Sequence, residues 1–125
     1  MSQLPLSVDP LLTPLRLGNQ TVKNRIFSSG HALSHTVQGR ATETTLRYQM
    51  EKAKGGIGLS FVGGSGTVSV DTAPVFDQLI IDDEIIPFFS ELSDFYHKHE
   101  ALLMTQLTHL GRRTNANAGE WVPIV

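Results

Sequence analysis

Residues 56–66 read GIGLSFVGGSG. The apolar positions run on instead of alternating with polar ones, the pattern of a strand apolar on both faces, and they predict a strand over 57–62 that ends in the glycine-rich GGSG. Such a strand belongs inside a parallel sheet and needs helices over it and strands beside it.

Both neighbours are legible. Upstream, Leu46, Met50 and Ala53 fall at i, i+4 and i+7, with Arg47, Glu51 and Lys54 largely on the other face. Thr42 is suited to the N-cap of this helix and Gly55 to its C-cap, and Lys52 and Lys54 sit in the last turn, where the helix dipole favours cations. Downstream, Ile85, Phe88, Phe89, Leu92, Phe95 and Tyr96 keep helical spacing behind the acidic start Asp82, Asp83 and Glu84, and Pro87 is tolerated in a first turn. A further apolar run, 101–107, reads as a strand.

The chain opens on two short strands near 14–17 and 21–28, joined by GNQ, where Gly18 and Asn19 can take positive φ. The polar segment SSGHALSHTVQGRAT that follows has no periodicity and reads as a long loop. A second loop holds Asp71, Thr72 and Pro74, and the tail after the last strand is also loop-like. The order is a hairpin, then strand, helix, strand, helix, strand, which right-handed crossovers turn into a parallel α/β sheet. Three such strands and two helices leave two open edges, and a (β/α)8 barrel takes about 250 residues. The expectation is therefore that residues 1–125 form the incomplete N-terminal part of one barrel domain.

Composition narrows the function classes. In 125 residues, 40% are apolar and 18% charged, which suits one folded domain; ten basic against twelve acidic residues give a net charge of −2. That balance carries no electrostatic footprint for nucleic acid or an anionic membrane. The absence of cysteine removes disulfides, a thiolate nucleophile and Cys-based zinc sites. No signal-like or membrane-length apolar run is present, and a cytoplasmic protein is expected.

In parallel α/β folds the chemistry gathers where strands end. All three candidate strands end in small or polar groups: SSGHA, GGSG and TQLTHLGR. Gly63, Gly64 and Gly66 would admit a flat ligand or a phosphate close to the backbone, and Gln106 offers a donor beside an acceptor, as the edge of a flavin pyrimidine requires. On spacing alone, a plain turn and a backbone-capping glutamine outweigh that reading.

Three blocks, LLTPLRLGNQTVKNRIFSSGHA, KGGIGLSFVGGSGTV and HKHEALLMTQLTHLGRR, resemble in order the N-terminal part of the Old Yellow Enzyme family of flavin oxidoreductases. Within it they look nearest to the branch of 2,4-dienoyl-CoA reductase, trimethylamine dehydrogenase and N-methyl demethylases. The resemblance implies a (β/α)8 barrel with FMN at the C-terminal mouth of the strands, NADH or NADPH as electron donor, and a small-molecule substrate. It places Ser29, Gly30, His31 and Ala32 along the flavin, Gly64 as the second-strand contact, and Gln106 on the pyrimidine edge. His109, Gly111 and Arg112 match a stretch that shapes the following loop. Catalytic residues, basic residues for the flavin phosphate and any iron–sulfur cluster of larger relatives would belong to segments beyond these strands, so no catalytic residue is assigned here.

Departures from the family pattern are informative. Gly30 stands where proline is frequent, Ala32 where a Thr or Cys tunes the flavin, and Ser34 where some members place an aromatic substrate contact. These lean toward the demethylase or dehydrogenase-like branch. Other motifs carry less. His31 and His35 lie in a loop without an acidic third ligand, so no metal is expected; His97 and His99 sit at an exposed helix end; Arg112 and Arg113 suit a surface ion pair; GGSG lacks a P-loop lysine. The alternatives to a flavin oxidoreductase segment are an inactive remnant of such an enzyme, aggregating or oligomerising through open barrel edges, and an unrelated small α/β binding module. The isolated chain is expected not to turn over.

Overall fold

A computed structural model describes residues 9–68 and 79–109. After a 3-10 turn at Pro10–Leu12, strands β1 (Leu15–Leu17) and β2 (Gln20–Val22) form an antiparallel hairpin, paired from Leu15 with Val22 to Leu17 with Gln20. Gly18 alone takes positive φ (+59°) in its two-residue turn; Asn19 does not. The remaining strands, β3 (Phe27–Ser28), β4 (Leu59–Thr67) and β5 (Leu102–Thr108), make a parallel sheet in the order β3-β4-β5. Helices α1 (Glu43–Lys54) and α2 (Ile86–Lys98) are the two crossovers.

Two strand boundaries differ from expectation, each for a local reason. The predicted strand 21–28 is two strands, because Asn24 turns the chain. Its Oδ1 accepts from the Ile26 N–H at 3.1 Å while its Nδ2 donates to the Gly56 carbonyl at 2.8 Å, so an Asx turn separates the hairpin from the sheet. Likewise β4 starts later than expected and runs through GGSG to Thr67. The glycines do not end it; they bulge it. Pairing with β5 is in register from Leu59 to Val62, breaks, and resumes at Gly66 opposite Leu107, with Gly63 at φ +71°. The loop around Asp71 and the tail with Gly111, Arg112 and Arg113 lie outside the described residues.

The helices form as their sequences dictate. Thr42 caps α1 and shares a capping box with Thr45, Gly55 is the C-cap, and Pro87 lies in the first turn of α2. Val62 from β4, Leu92 and Tyr96 from α2 and Ala53 from α1 are essentially inaccessible to solvent, and Leu46, Met50, Phe88, Phe89, Phe95 and Leu103 close round them. Each such aliphatic side chain contributes about 1.5–3 kcal/mol by leaving water. This core lies on the helix side of the sheet. Alternation puts Leu59, Phe61 and Met104 on the other side, where the hairpin covers Leu59 while Phe27 (62% exposed) and Met104 (48%) stay accessible. Continuous apolarity in β4 thus serves two faces, of which the described residues cover one.

One buried polar contact holds the layers in place. The Tyr96 hydroxyl donates to the Gln49 carbonyl at 2.9 Å, tying α2 to α1. Burial pushes Tyr96 ionisation above its ordinary value of 10.0. A phenol that ionises later in the folded than in the unfolded chain leaves stability intact below pH 10 and erodes it as pH rises further. Tyr96→Phe should cost about 1 kcal/mol at pH 7, the loss of a buried hydrogen bond to a carbonyl that keeps its helical partner. In urea unfolding the gap between the two proteins should narrow above about pH 10, where only the tyrosine loses stability through ionisation.

Candidate functional site

The C-terminal ends of β3, β4 and β5 converge on one side chain. Gln106, third from the end of β5, donates from Nε2 to the Gly64 carbonyl of β4. Its Oε1 faces Gly30 just beyond β3, at 2.8 Å from where a β-carbon would stand there. Gly64 packs equally closely on the first exit: a Cβ on it would lie 2.5 Å from the Ala32 nitrogen and 2.8 Å from the His31 carbonyl carbon. The structure therefore brings Gly30, His31, Ala32, Gly64 and Gln106 into one cluster, with Ser29 adjoining it.

This geometry changes the reason for the glycines. The sequence suggested that they open space for a ligand. At Gly64 and Gly66, however, and at Gly30, the space of the missing side chain is filled by neighbouring backbone, Ile81 and Gln106, so glycine there lets the strand ends approach, whereas Gly63 has only Leu79 nearby, at 3.8 Å. What faces outward is polar. Gln106 is exposed, and one N–H and the acceptor Oε1 of its amide are uncommitted among the described residues. Beside it the Ala32 N–H has no hydrogen-bond partner among the described residues. A donor, an acceptor and a backbone N–H side by side on one rim fit a flat ring that presents a carbonyl next to an N–H.

Sequence reasoning missed three residues that build this rim. Arg40 grips Asp82 through both guanidinium nitrogens, at 2.6 and 2.8 Å, and reaches Glu84 at 3.1 Å. With the Ile80 N–H donating to the Gly39 carbonyl, it joins the loop after β3 to the segment before α2. The Arg40 guanidinium holds the Asp82 carboxyl below its ordinary range; both groups are exposed, so this pair orients more than it stabilises. Gln49, buried on α1, lines a small cavity of about 20 Å³ behind residues 31–34, and its Oε1 has no partner among the described residues. Tyr48 lies edge-on to both His31 and His35, with ring centroids at 5.9 and 6.2 Å. None of the three lies in an apolar stripe; for Tyr48 the only hint was an aromatic four residues before Lys52, off the buried face. Ser34 adopts φ +52°, a strained conformation for a residue with a side chain. Among the described residues no three His, Cys, Asp or Glu side chains converge as a metal site, and no helix is long and apolar enough to cross a membrane.

With that arrangement established, comparison with known proteins is decisive. The NADH:flavin oxidoreductase / NADH oxidase family model matches residues 10–121. The chain belongs to this family. It is 42% identical to a probable N-methylproline demethylase of Rhizobium meliloti over 94% of its own length and 17% of the relative's. To an N,N-dimethylglycine/sarcosine dehydrogenase of Chromohalobacter salexigens it is 41% identical, over 93% of the chain and 17% of that protein. The old yellow enzyme from Trypanosoma cruzi superposes with a TM-score of 0.73 at 28% identity, covering 84% of this chain and 28% of that one. Histamine dehydrogenase from a Rhizobium species shares the fold at a TM-score of 0.75 and 24% identity. The chain thus spans about a sixth of the curated relatives just named, and its fold is the N-terminal portion of a (β/α)8 barrel, as expected. An unrelated α/β binding module, one of the alternatives, is overturned by these matches.

Gly64→Ala tests the close approach of the exits. Its β-carbon would press on the 31–32 backbone, which cannot swing aside like a side-chain tip, so the variant should lose about 1–3 kcal/mol in urea unfolding.

Proposed function

We propose that this chain carries the first three strands of an FMN-dependent oxidoreductase barrel and one rim of its flavin site. The observation that carries the reading is the convergence of Gly30, Gly64 and Gln106 near the C-terminal ends of three neighbouring strands, with one N–H and Oε1 of the exposed Gln106 amide uncommitted among the described residues. Gln106 would pair with the pyrimidine edge of the flavin, the Ala32 N–H would donate to the ring, and Ser29, Gly30, His31 and Gly64 would form the wall against which it lies. When bound, FMN would supply the hydride chemistry between NADH or NADPH and a small organic substrate. The chain's own part is orientation: Gln106 is itself oriented by Gly64, so its free donor and acceptor are presented without a search over rotamers.

The demethylase and dehydrogenase relatives support an N-methyl or amine substrate class for the whole enzyme. Ala32 fits the same branch, because it brings no hydroxyl or thiol to the flavin. Residues 1–125 are read as an incomplete part of one flavin-binding domain, without catalytic residues or iron–sulfur ligands of its own, and the lack of cysteine suits the cytoplasm.

Flavin titration tests this. The chain should quench FMN fluorescence saturably, and so should a hybrid in which residues 10–109 replace the matching segment of the Rhizobium meliloti relative. Gln106→Leu should weaken binding about tenfold, the loss of roughly 1.4 kcal/mol. A hybrid that folds but stays colourless would overturn the proposal.

A further inference from the structure

A second set of contacts lies behind the exit of β3 and was not needed for the flavin reading. The His31 ring is held at both nitrogens: Nδ1 lies 3.0 Å from the Ser29 carbonyl and Nε2 lies 3.0 Å from the Tyr48 hydroxyl. A carbonyl oxygen can only accept, so Nδ1 must carry the proton. In a neutral ring Nε2 is then an acceptor, and Tyr48 must be its donor. Lys52, one turn further along α1, holds the Tyr48 ring with its ammonium 4.8 Å from the centroid and donates to Ser28 Oγ at 3.1 Å. Burial lowers the pKa of Lys52, consistent with an ammonium drawn partly out of water between the helix and β3.

We propose that Tyr48 is a positioning residue: by donating to His31 Nε2 it selects the Nδ1–H tautomer, which clamps the Ser29 carbonyl and so fixes the backbone of 29–32 at the rim. The mechanical consequence follows from chain connectivity. Ala32, whose nitrogen lies against Gly64, is the next residue after His31, so its N–H direction is set by the same clamp. Helix α1 thereby orients a rim N–H that it does not touch. That this N–H serves a flavin rests on the function proposed above; the tautomer and the clamp do not.

The test uses the full chain, labelled with 15N, at about pH 8, where an ordinary imidazole is neutral. Long-range 1H–15N correlation spectra should show His31 with its proton on Nδ1. In Tyr48→Phe the ring nitrogens should shift toward a mixture with the Nε2–H form, and the amide 1H–15N peaks of residues 30–32 should move as the clamp on the Ser29 carbonyl is lost. Core amide peaks around Leu92 and Tyr96 should keep their positions. An Nε2–H ring in the wild-type chain overturns the proposal whether or not the variant folds, and so does a folded Tyr48→Phe with unchanged tautomer and unmoved amide peaks at 30–32. FMN titration of the same samples separates the two readings. Where the wild type binds, Tyr48→Phe should bind about fivefold more weakly, and unchanged affinity removes the link to the cofactor. A tautomer that responds to Tyr48 in a chain and hybrid that ignore FMN sinks the flavin assignment and leaves the positioning role standing.

Discussion

A parallel sheet has no turn to fix the ends of its strands against one another; each strand leaves the sheet for a long crossover, and its exit must be located by other means. Here a single amide does much of this. Gln106 reaches from β5 to the Gly64 carbonyl on β4 and to Gly30 beyond β3, so three exits separated by more than seventy residues share one reference point. The absence of β-carbons at 30 and 64 is the complement of that contact. With either present, the amide and the backbones could not reach the same place.

How much of this could be read from the sequence depended on how local the determining physics was. Helix α1 was legible to its caps, since Thr42, Gly55 and the Leu46, Met50 and Ala53 stripe act within a few residues. The same holds for α2, where Pro87 and the acidic start mark the beginning. The break between β2 and β3 was not legible, because Asn24 turns the chain with a partner, Gly56, that lies 32 residues away. The length of β4 was misjudged for a related reason: a run of glycines reads as a loop unless a neighbouring strand is known to continue pairing past it. Gln106 could be singled out as a polar group at a strand end. Tyr48 could not, because its significance depends on where a loop histidine falls after folding.

The rim also explains why the departures at 30 and 32 are tolerated together. A smaller residue at 30 lets the β3 exit settle directly against Gln106, and Ala32 then meets Gly64 through its backbone. The side chain at 32 has no structural task in this arrangement. What residue 32 offers at the rim is therefore its backbone N–H, whose direction depends on how the backbone of 29–32 is held.

The uncovered side of the sheet has a consequence for biosynthesis. Phe27, Phe61 and Met104 point away from both helices, yet the helix-side core is already complete within the described residues. In a nascent chain, the helix side of this layer can pack while its apolar reverse still faces water, a surface of the kind that makes partly folded species prone to association. The span between its emergence and the arrival of whatever closes over it is when the polypeptide is most exposed to off-pathway association, and slower translation past that point would lengthen the hazard.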